Sequence, residues 1–442
     1  MKVAIVGSGI AGLGAAHTLR GRAEITLYEA GPYFGGHTHT VDVTLPDASG
    51  RPVTHGVDTG FLVFNERTYP NLIALFAELK VATVKSDMSF SVQVPGARGG
   101  EALEWSGSSL STVFAQRRNL ASPSFLRMLG QLLRFNKLAT RIAEAGEEGE
   151  LQQPLGEFLD AHGFGREFRE WYLLPMLGCI WSCPTDQMLR FPVATMIRFC
   201  HNHGLVQVTG RPQWWTVSGG ARNYVEKIVA GIDDKHLGTP VRRIARDARG
   251  VDISTASGTR RFDKVIIATH PDQALALLAQ PTPEEASTLG ALRYQANRAV
   301  LHTDTSVLPS RRQAWAAWNY ERGAQAGGET AGVCLHYLLN VLQPLPWQTP
   351  VVVSLNPVRD IDRRSVMGEF EYAHPVFDLP AIRAQEAVPQ LQGRANTWFC
   401  GAWTGYGFHE DGLKSGQRAA RQVLIEGERH AEELASPMAE AA

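Results

Sequence analysis

The 442-residue sequence predicts an α/β protein with a parallel, Rossmann-like sheet in one domain and a discontinuous α+β second domain. Three observations carry that reading. Residues 3–6 are a short apolar run, followed by a glycine-rich turn, a helical stretch over 11–19 and a second strand over 24–28. Strand, helix, strand in that order implies a parallel sheet covered by helices on both faces. The same texture returns far downstream, at 205–275 and 395–430, whereas 76–204 is mainly helical and 276–394 mainly short strands. The chain therefore divides into 1–75 with 205–275 and 395–430, and 76–204 with 276–394, leaving 431–442 as a tail.

The remaining elements follow from local signals. Ser122-Pro123 is an N-cap followed by proline at the first helical position, and a helix runs from there to about residue 145. A second helical stretch covers 155–174, broken near Gly163 and Gly165. Strand and turn signals occupy 205–217, a helix 221–228, and strands 240–244, 251–254 and 265–268. Later strands are expected at 299–304, 314–320, 332–337, 351–355 and 397–402, with a closing helix over 412–426.

Composition excludes several classes. Hydrophobic residues are 44% and charged residues 20% of the chain, ordinary for a packed globular protein. Lys+Arg 43 against Asp+Glu 44 leaves no general basic field for a nucleic-acid backbone. The five cysteines, Cys179, Cys183, Cys200, Cys334 and Cys400, are few and scattered; they suggest buried thiols in a reducing, cytoplasmic setting and no metal site. The apolar N-terminal run reads as strand and helix rather than a leader peptide. No run approaches the ~18 apolar residues of a membrane span.

The turn Gly7-x-Gly9-x-x-Gly12 lies between the first strand and its helix, and Glu29 ends the second strand. The first glycine serves the tight turn, the second close approach of a diphosphate, and the third helix–strand packing. The helix N-terminus offers unpaired N–H groups to phosphate oxygens, and Glu29 can accept bonds from ribose hydroxyls. This is a dinucleotide fingerprint.

Further segments point to one dinucleotide. Glu29-Ala30-Gly31-Pro32-Tyr33-Phe34-Gly35-Gly36 resembles the second phosphate-contacting turn of the FAD-binding superfamily of flavin-containing amine oxidases, protoporphyrinogen oxidase and phytoene desaturase. Thr239-Pro240-Val241 resembles its adenine-contacting strand. Val265-Ile266-Ile267-Ala268-Thr269 resembles the strand beneath its cofactor. Gly401-Ala402-Trp403, His409-Glu410-Asp411-Gly412 and Ser415-Gly416 resemble the C-terminal segment along its isoalloxazine. The resemblance implies FAD as cofactor in an amine-oxidase-like fold. The contacts it implies come from Gly7, Gly9, Ile10, Ala11, Gly12, Glu29, Ala30, Gly35, Gly36, His37, Thr59, Gly60, Val241, Ala268, Thr269, Trp403, Glu410, Asp411, Gly412 and Ser415. Tyr33 and His37 stand where the superfamily usually has arginines.

Gly36-His37-Thr38, Asp58-Thr59-Gly60-Phe61, Trp181-Ser182, Trp318-Asn319-Tyr320 and the stretch 407–412 are similar to a bacterial subgroup of predicted NAD/FAD-binding oxidoreductases, often encoded beside cyclopropane-fatty-acid synthase-like enzymes. That likeness implies hydride removal from a lipid-like substrate, with fatty-acyl desaturation or oxidation favoured, and a functional link to such a methyltransferase. The alternatives are an amine, carotenoid or porphyrin oxidase, or a non-catalytic FAD-binding partner of that methyltransferase.

The chain has no lysine between Val265 and Leu413, which disfavours the lysine-assisted chemistry of amine oxidases in this superfamily. No second G-x-G-x-x-G follows a strand, so a separate NAD(P)H domain is not expected. His302 and Tyr320 are the candidate catalytic residues, with His336 and His374 as further proton acceptors. Asp58 and Glu410 are expected to orient backbone or cofactor. Eight of the ten tryptophans, Trp105, Trp171, Trp181, Trp214, Trp215, Trp315, Trp318 and Trp347, fall in or beside the substrate domain and suit a large apolar ligand. Arg127, Arg134, Lys137 and Arg141 make the helix after Ser122 basic and amphipathic, a form that can rest peripherally on a membrane.

Overall fold

The computed structural model describes residues 1–98, 100–146, 153–182, 185–207, 210–323 and 333–439. Cys183 and the first residue of the strand expected at 332–337 lie outside them.

Strands Asp234–His236, Glu24–Tyr28, Lys2–Val6, Lys264–Ile267 and Thr397–Phe399 form a five-stranded sheet in that order, parallel throughout. The apolar run in Lys2–Val6 takes the centre because Val3, Ala4 and Ile5 are inaccessible to solvent on both faces. Helix Ile10–Leu19 packs against the last helix, His409–Ala439, on one face. A three-stranded layer, Arg243–Asp247, Gly250–Thr255 and Gly258–Phe262, contributes Ile244, Val251, Ile253 and Phe262 to the core on the other.

The second half is a seven-stranded mixed sheet in the order Val366–Pro375, Tyr294–His302, Val352–Leu355, Val333–Leu338, Trp318–Arg322, Phe90–Arg98, Glu101–Ser106. It unites pieces from both expected segments of the second domain. Helices Pro123–Ala145, Leu174–Trp181 and Val193–Asn202 contribute Phe125, Phe135, Leu177 and Phe199 to its core. Pro123–Ala145 is the predicted basic helix: the Ser122 hydroxyl accepts from the Phe125 N–H at 3.4 Å, and Gly146 closes the helix at φ 71°.

Several boundaries differ from expectation. Helices Pro283–Gly290 and Leu379–Ala387 bring Leu289, Ala381 and Ala384 into the core beside the parallel sheet, so 276–292 and 378–394 belong to that half. Their caps make them helical: the Thr282 hydroxyl accepts from the Glu285 N–H, and Asp378 accepts from the Ala381 N–H. The strand expected at 314–320 begins at Trp318, after a 3₁₀ turn over Arg312–Ala314. The strand expected at 240–244 begins at Arg243. The closing helix starts at His409, not 412.

Candidate active site

A cavity of about 690 Å³ opens along the carboxyl ends of the parallel strands and continues under the seven-stranded sheet. The sequence places its first wall through backbone geometry. Gly7 adopts φ 100°, which allows its N–H to donate to the Tyr28 carbonyl at 2.9 Å. A Cβ on Gly12 would sit 1.9 Å from the Gly7 carbonyl oxygen, so only glycine lets the helix close on the turn. A Cβ on Gly9 would meet nothing within 4 Å, because that position faces the cavity.

Ser8 ties this turn to the next. Its N–H and hydroxyl both donate to Glu29 Oε2, at 2.9 and 2.5 Å, and its Oγ accepts from the Gly35 N–H at 3.1 Å. The Gly31 N–H donates to Glu29 Oε1 at 2.7 Å. Three of the four lone-pair sites of the Glu29 carboxylate are thus used, and one remains on the cavity side. Ile10, Ala11, Ala30, Gly36, Gly60, Val241, Ala268, Thr269 and Trp403 line the same space. The indole N–H of Trp403 donates to the Thr269 carbonyl at 3.2 Å.

The remaining expected contact residues act one layer back. Gly12 and Gly35 shape their turns. The Thr59 hydroxyl is bonded to the Tyr372 hydroxyl at 2.6 Å. Glu410 accepts from the Asn71 N–H, the Asn71 amide and the Leu72 N–H, holding the N-terminus of helix Pro70–Glu78. Asp411 accepts from the Tyr406 and Phe408 N–H groups, and Ser415 Oγ accepts from the Gly401 N–H. Gly412 lets that helix approach Ile10, where a Cβ would fall 2.7 Å from Cγ2. These side chains therefore position backbone around the cavity rather than face into it. Asp58 does the same, accepting from the Ala221 N–H, the Thr40 hydroxyl and the Gln343 amide; burial raises its carboxyl to about 6.

The two expected catalytic residues are displaced from the cavity. His302 is fully buried at the far end of strand Tyr294–His302. Tyr294, at the start of that strand, lines the cavity, whereas His302 at its end does not. His302 Nε2 is 2.7 Å from Ser354 Oγ, which is 2.6 Å from His336 Nδ1. His336 Nε2 lies 3.1 Å from Glu321 Oε2 and 3.3 Å from Cys334 Sγ, and Arg359 Nε lies 2.7 Å from Glu321 Oε1. Glu321, Cys334 and His336 form one cluster of potential metal ligands, but the Arg359 guanidinium already occupies the carboxylate. Tyr320 is 1% exposed and belongs to the core.

The structure instead brings His37, His270 and His374 together. The His37 ring centroid is 5.4 Å from that of His374 and 6.3 Å from that of His270, which stacks on Tyr294 at 3.9 Å. All three line the cavity. Burial, reinforced by the neighbouring His374, holds His37 well below the ordinary histidine value. Burial takes His374 down to about 4 and also lowers His270. All three rings are therefore neutral at pH 7.

A chain of amides fixes the His374 tautomer. The Arg298 N–H donates to Asn356 Oδ1 at 3.0 Å, and the Asn356 amide donates to Asn297 Oδ1 at 2.7 Å. The Asn297 amide nitrogen is thereby oriented; it donates to the Gln295 carbonyl at 3.1 Å and lies 3.0 Å from His374 Nδ1. Nδ1 is the acceptor, so the neutral ring carries its proton on Nε2. Where the sequence suggests a proton acceptor at His374, the geometry gives Nδ1 to Asn297 and leaves a donor at Nε2. Only the convergence of strands Tyr294–His302 and Val366–Pro375, which pairs Gln295 with His374, reveals this.

The wall beneath the seven-stranded sheet is apolar, with Met88, Ile180, Phe199, Leu205, Trp214, Trp318, Tyr337 and Phe408. Of the eight tryptophans expected there, only Trp214 and Trp318 line the cavity. Trp105, Trp171, Trp181 and Trp347 are core, Trp215 packs towards the parallel-sheet half, and Trp315 joins a small satellite cluster. Among the described lining residues the one carboxylate is Glu29, and no lysine or arginine is present.

Two lining residues, His37 and Trp318, each have a buried polar atom without a protein partner: Nε2 and Nε1. Such atoms are costly unless a ligand satisfies them. A dinucleotide with its hydroxyl groups fits the side on which His37 lies, and the open cradle at Gly9 fits its diphosphate.

The model of the flavin containing amine oxidoreductase family matches residues 10–328, more than half of the chain. The chain belongs to that family. It is an FAD-dependent oxidoreductase. Solved structures agree in fold. Cyclohexylamine oxidase from Brevibacterium oxydans superposes with a TM-score of 0.67 at 17% identity, covering 97% of this chain and 99% of its own. Wild-type putrescine oxidase bound to putrescine gives 0.64 at 16%, covering 96% and 99%. A CLA-producing fatty acid isomerase from P. acnes gives 0.62 at 15%, covering 95% and 98%. No curated protein matches the sequence.

Proposed function

We propose that this flavoenzyme removes hydride from a large, uncharged, lipid-like substrate, with fatty-acyl desaturation or oxidation as the favoured reaction. One observation carries the reading: among the described residues the substrate wall is mainly apolar and aromatic, and no side chain on it bears a charge at pH 7. An ammonium substrate would lose its hydration there without a carboxylate to replace it, since Glu29 is engaged by Ser8 and Gly31. An acyl chain gains from the same burial, at about 25 cal/mol per Å². On this wall the buried indole N–H of Trp318 has no protein partner and suits a carbonyl or carboxyl oxygen.

When bound, FAD supplies the hydride acceptor. The residues of this chain arrange the encounter. Phe199, Trp214 and Tyr337 exclude water and hold the chain in place. His374, pinned by Asn297, presents Nε2–H as a fixed donor at the junction of the two walls. Desaturation also takes a proton from the neighbouring carbon, and the neutral rings of His37 and His270 are the acceptors at hand. A CLA-producing fatty acid isomerase of similar fold supports the reading.

The test is a comparison of total lipid from producing cells with and without this protein. A chain-modified acyl species that depends on it supports the reading. Unchanged acyl chains alongside a changed amine or tetrapyrrole pool would replace it with the amine or porphyrin alternative.

A further inference from the structure

The acid-free stretch from 105 to 143 carries six bases, Arg117, Arg118, Arg127, Arg134, Lys137 and Arg141, in a chain whose net charge is only -1. It also carries half of the exposed large hydrophobic side chains. Of eight among the described residues, four are Leu110 at 80%, Leu120 at 53%, Leu126 at 46% and Leu133 at 58% exposure. On helix Pro123–Ala145 the buried side is made by Phe125, Met128, Phe135, Ala139 and Ile142. Leu126 and Leu133, one heptad apart, fall within about 20° of each other on the opposite side. Lys137 and Arg141 lie within about 60° of that stripe at 100° per residue.

Three of the bases have other contacts. Arg118 pairs with Glu101 and donates to the Ala102 carbonyl at 3.4 Å. Arg127 is 3.7 Å from Glu167, and Arg134 donates to the His162 carbonyl at 2.7 Å while lying over the Phe164 ring. Lys137 and Arg141 have no acidic partner among the described residues. A merely solvated helix face carries charge but not exposed leucines. Leucines flanked by uncompensated cations match the boundary between acyl chains and anionic headgroups.

We infer that the outer face of helix Pro123–Ala145 docks the enzyme on an anionic phospholipid bilayer. The inference rests on the lipid reading of the cavity for its purpose, though not for its test. The helix packs directly on Val193–Asn202, whose Phe199 lines the substrate wall, so docking would set the apolar cavity one helix layer from the lipid.

The experiment is sedimentation of the FAD-loaded protein with vesicles of phosphatidylglycerol or of phosphatidylcholine, across a salt series. Binding to phosphatidylglycerol alone, weakening as salt rises, is expected. Lys137→Glu and Arg141→Glu should each weaken partitioning at least about fivefold, the worth of one basic residue near the surface. The double variant Leu126→Gln, Leu133→Gln should lose binding at low salt while keeping its flavin absorption and melting temperature. No binding to phosphatidylglycerol, equal binding to both vesicles, or parent-like binding by these variants would overturn the inference. So would a concentration-dependent dimer abolished by the leucine pair, which would show the face to be a subunit contact. None of these outcomes depends on whether an acyl chain is the substrate.

Discussion

The side-chain nitrogen of Asn297 lies 3.0 Å from Nδ1 of His374, and that one contact decides which ring nitrogen carries the proton. Asn297 is itself 1% exposed and is oriented by a chain that ends on the Arg298 backbone N–H. The tautomer at the cavity is thus set by main chain.

His374→Leu should therefore lower kcat by about 10²-fold, the usual cost of one preorganised donor, with FAD affinity little changed. Asn297→Leu should lower kcat less and alter the pH profile, because the ring can then take either tautomer. Steady-state kinetics over pH, with flavin content measured in parallel, check both. A His374→Leu enzyme of normal kcat would remove the residue from the account.

Gly9 and Gly12 should separate coenzyme binding from folding. Gly9→Val adds a side chain into open space, so the protein should fold yet come out pale. Gly12→Ala forces a Cβ against the Gly7 carbonyl oxygen, so the melting temperature itself should fall. Absorption spectra and thermal melts of the two variants give the comparison, and full flavin occupancy in Gly9→Val would mean that the turn does not face the diphosphate.

Trp318→Phe keeps the aromatic wall but deletes its buried N–H. KM for an acyl substrate should rise about tenfold with kcat nearly constant, the pattern of lost uniform binding. An unchanged KM would show that the indole N–H makes no substrate contact.

Stability should fall in acid. His203, His302 and His374 are held near 4 and His409 near 3, all by burial first, against an ordinary value of 6.5. Folded protein keeps these rings neutral while the unfolded chain binds protons below 6.5. Stability is therefore full above that pH and is lost progressively as pH falls through about 4. Thermal melts from pH 7.5 to 4.5 should show a steady decline, steeper than in a His302→Gln variant.

Local chemistry was legible in the sequence wherever one short segment sets it. The glycines of the first turn, the Ser122 cap and the acid-free basic helix all stand where their spacing puts them. The catalytic junction was not legible. His37, His270 and His374 come from three distant segments, and only strand pairing across the two sheets brings them together. His302 misled because a place on a strand does not say what the side chain meets: it is buried against Ser354 and does not line the cavity. Most of the tryptophans misled for another reason: large aromatic side chains fill cores as readily as they line pockets.

The central claim, an apolar substrate met by a neutral site, is tested most directly by anaerobic mixing of the purified yellow protein with acyl lipids and, separately, with primary amines. Bleaching of the visible flavin band by an acyl lipid, with amines inert, is the result expected. Rapid bleaching by an amine, with every acyl lipid leaving the flavin oxidised, would contradict it.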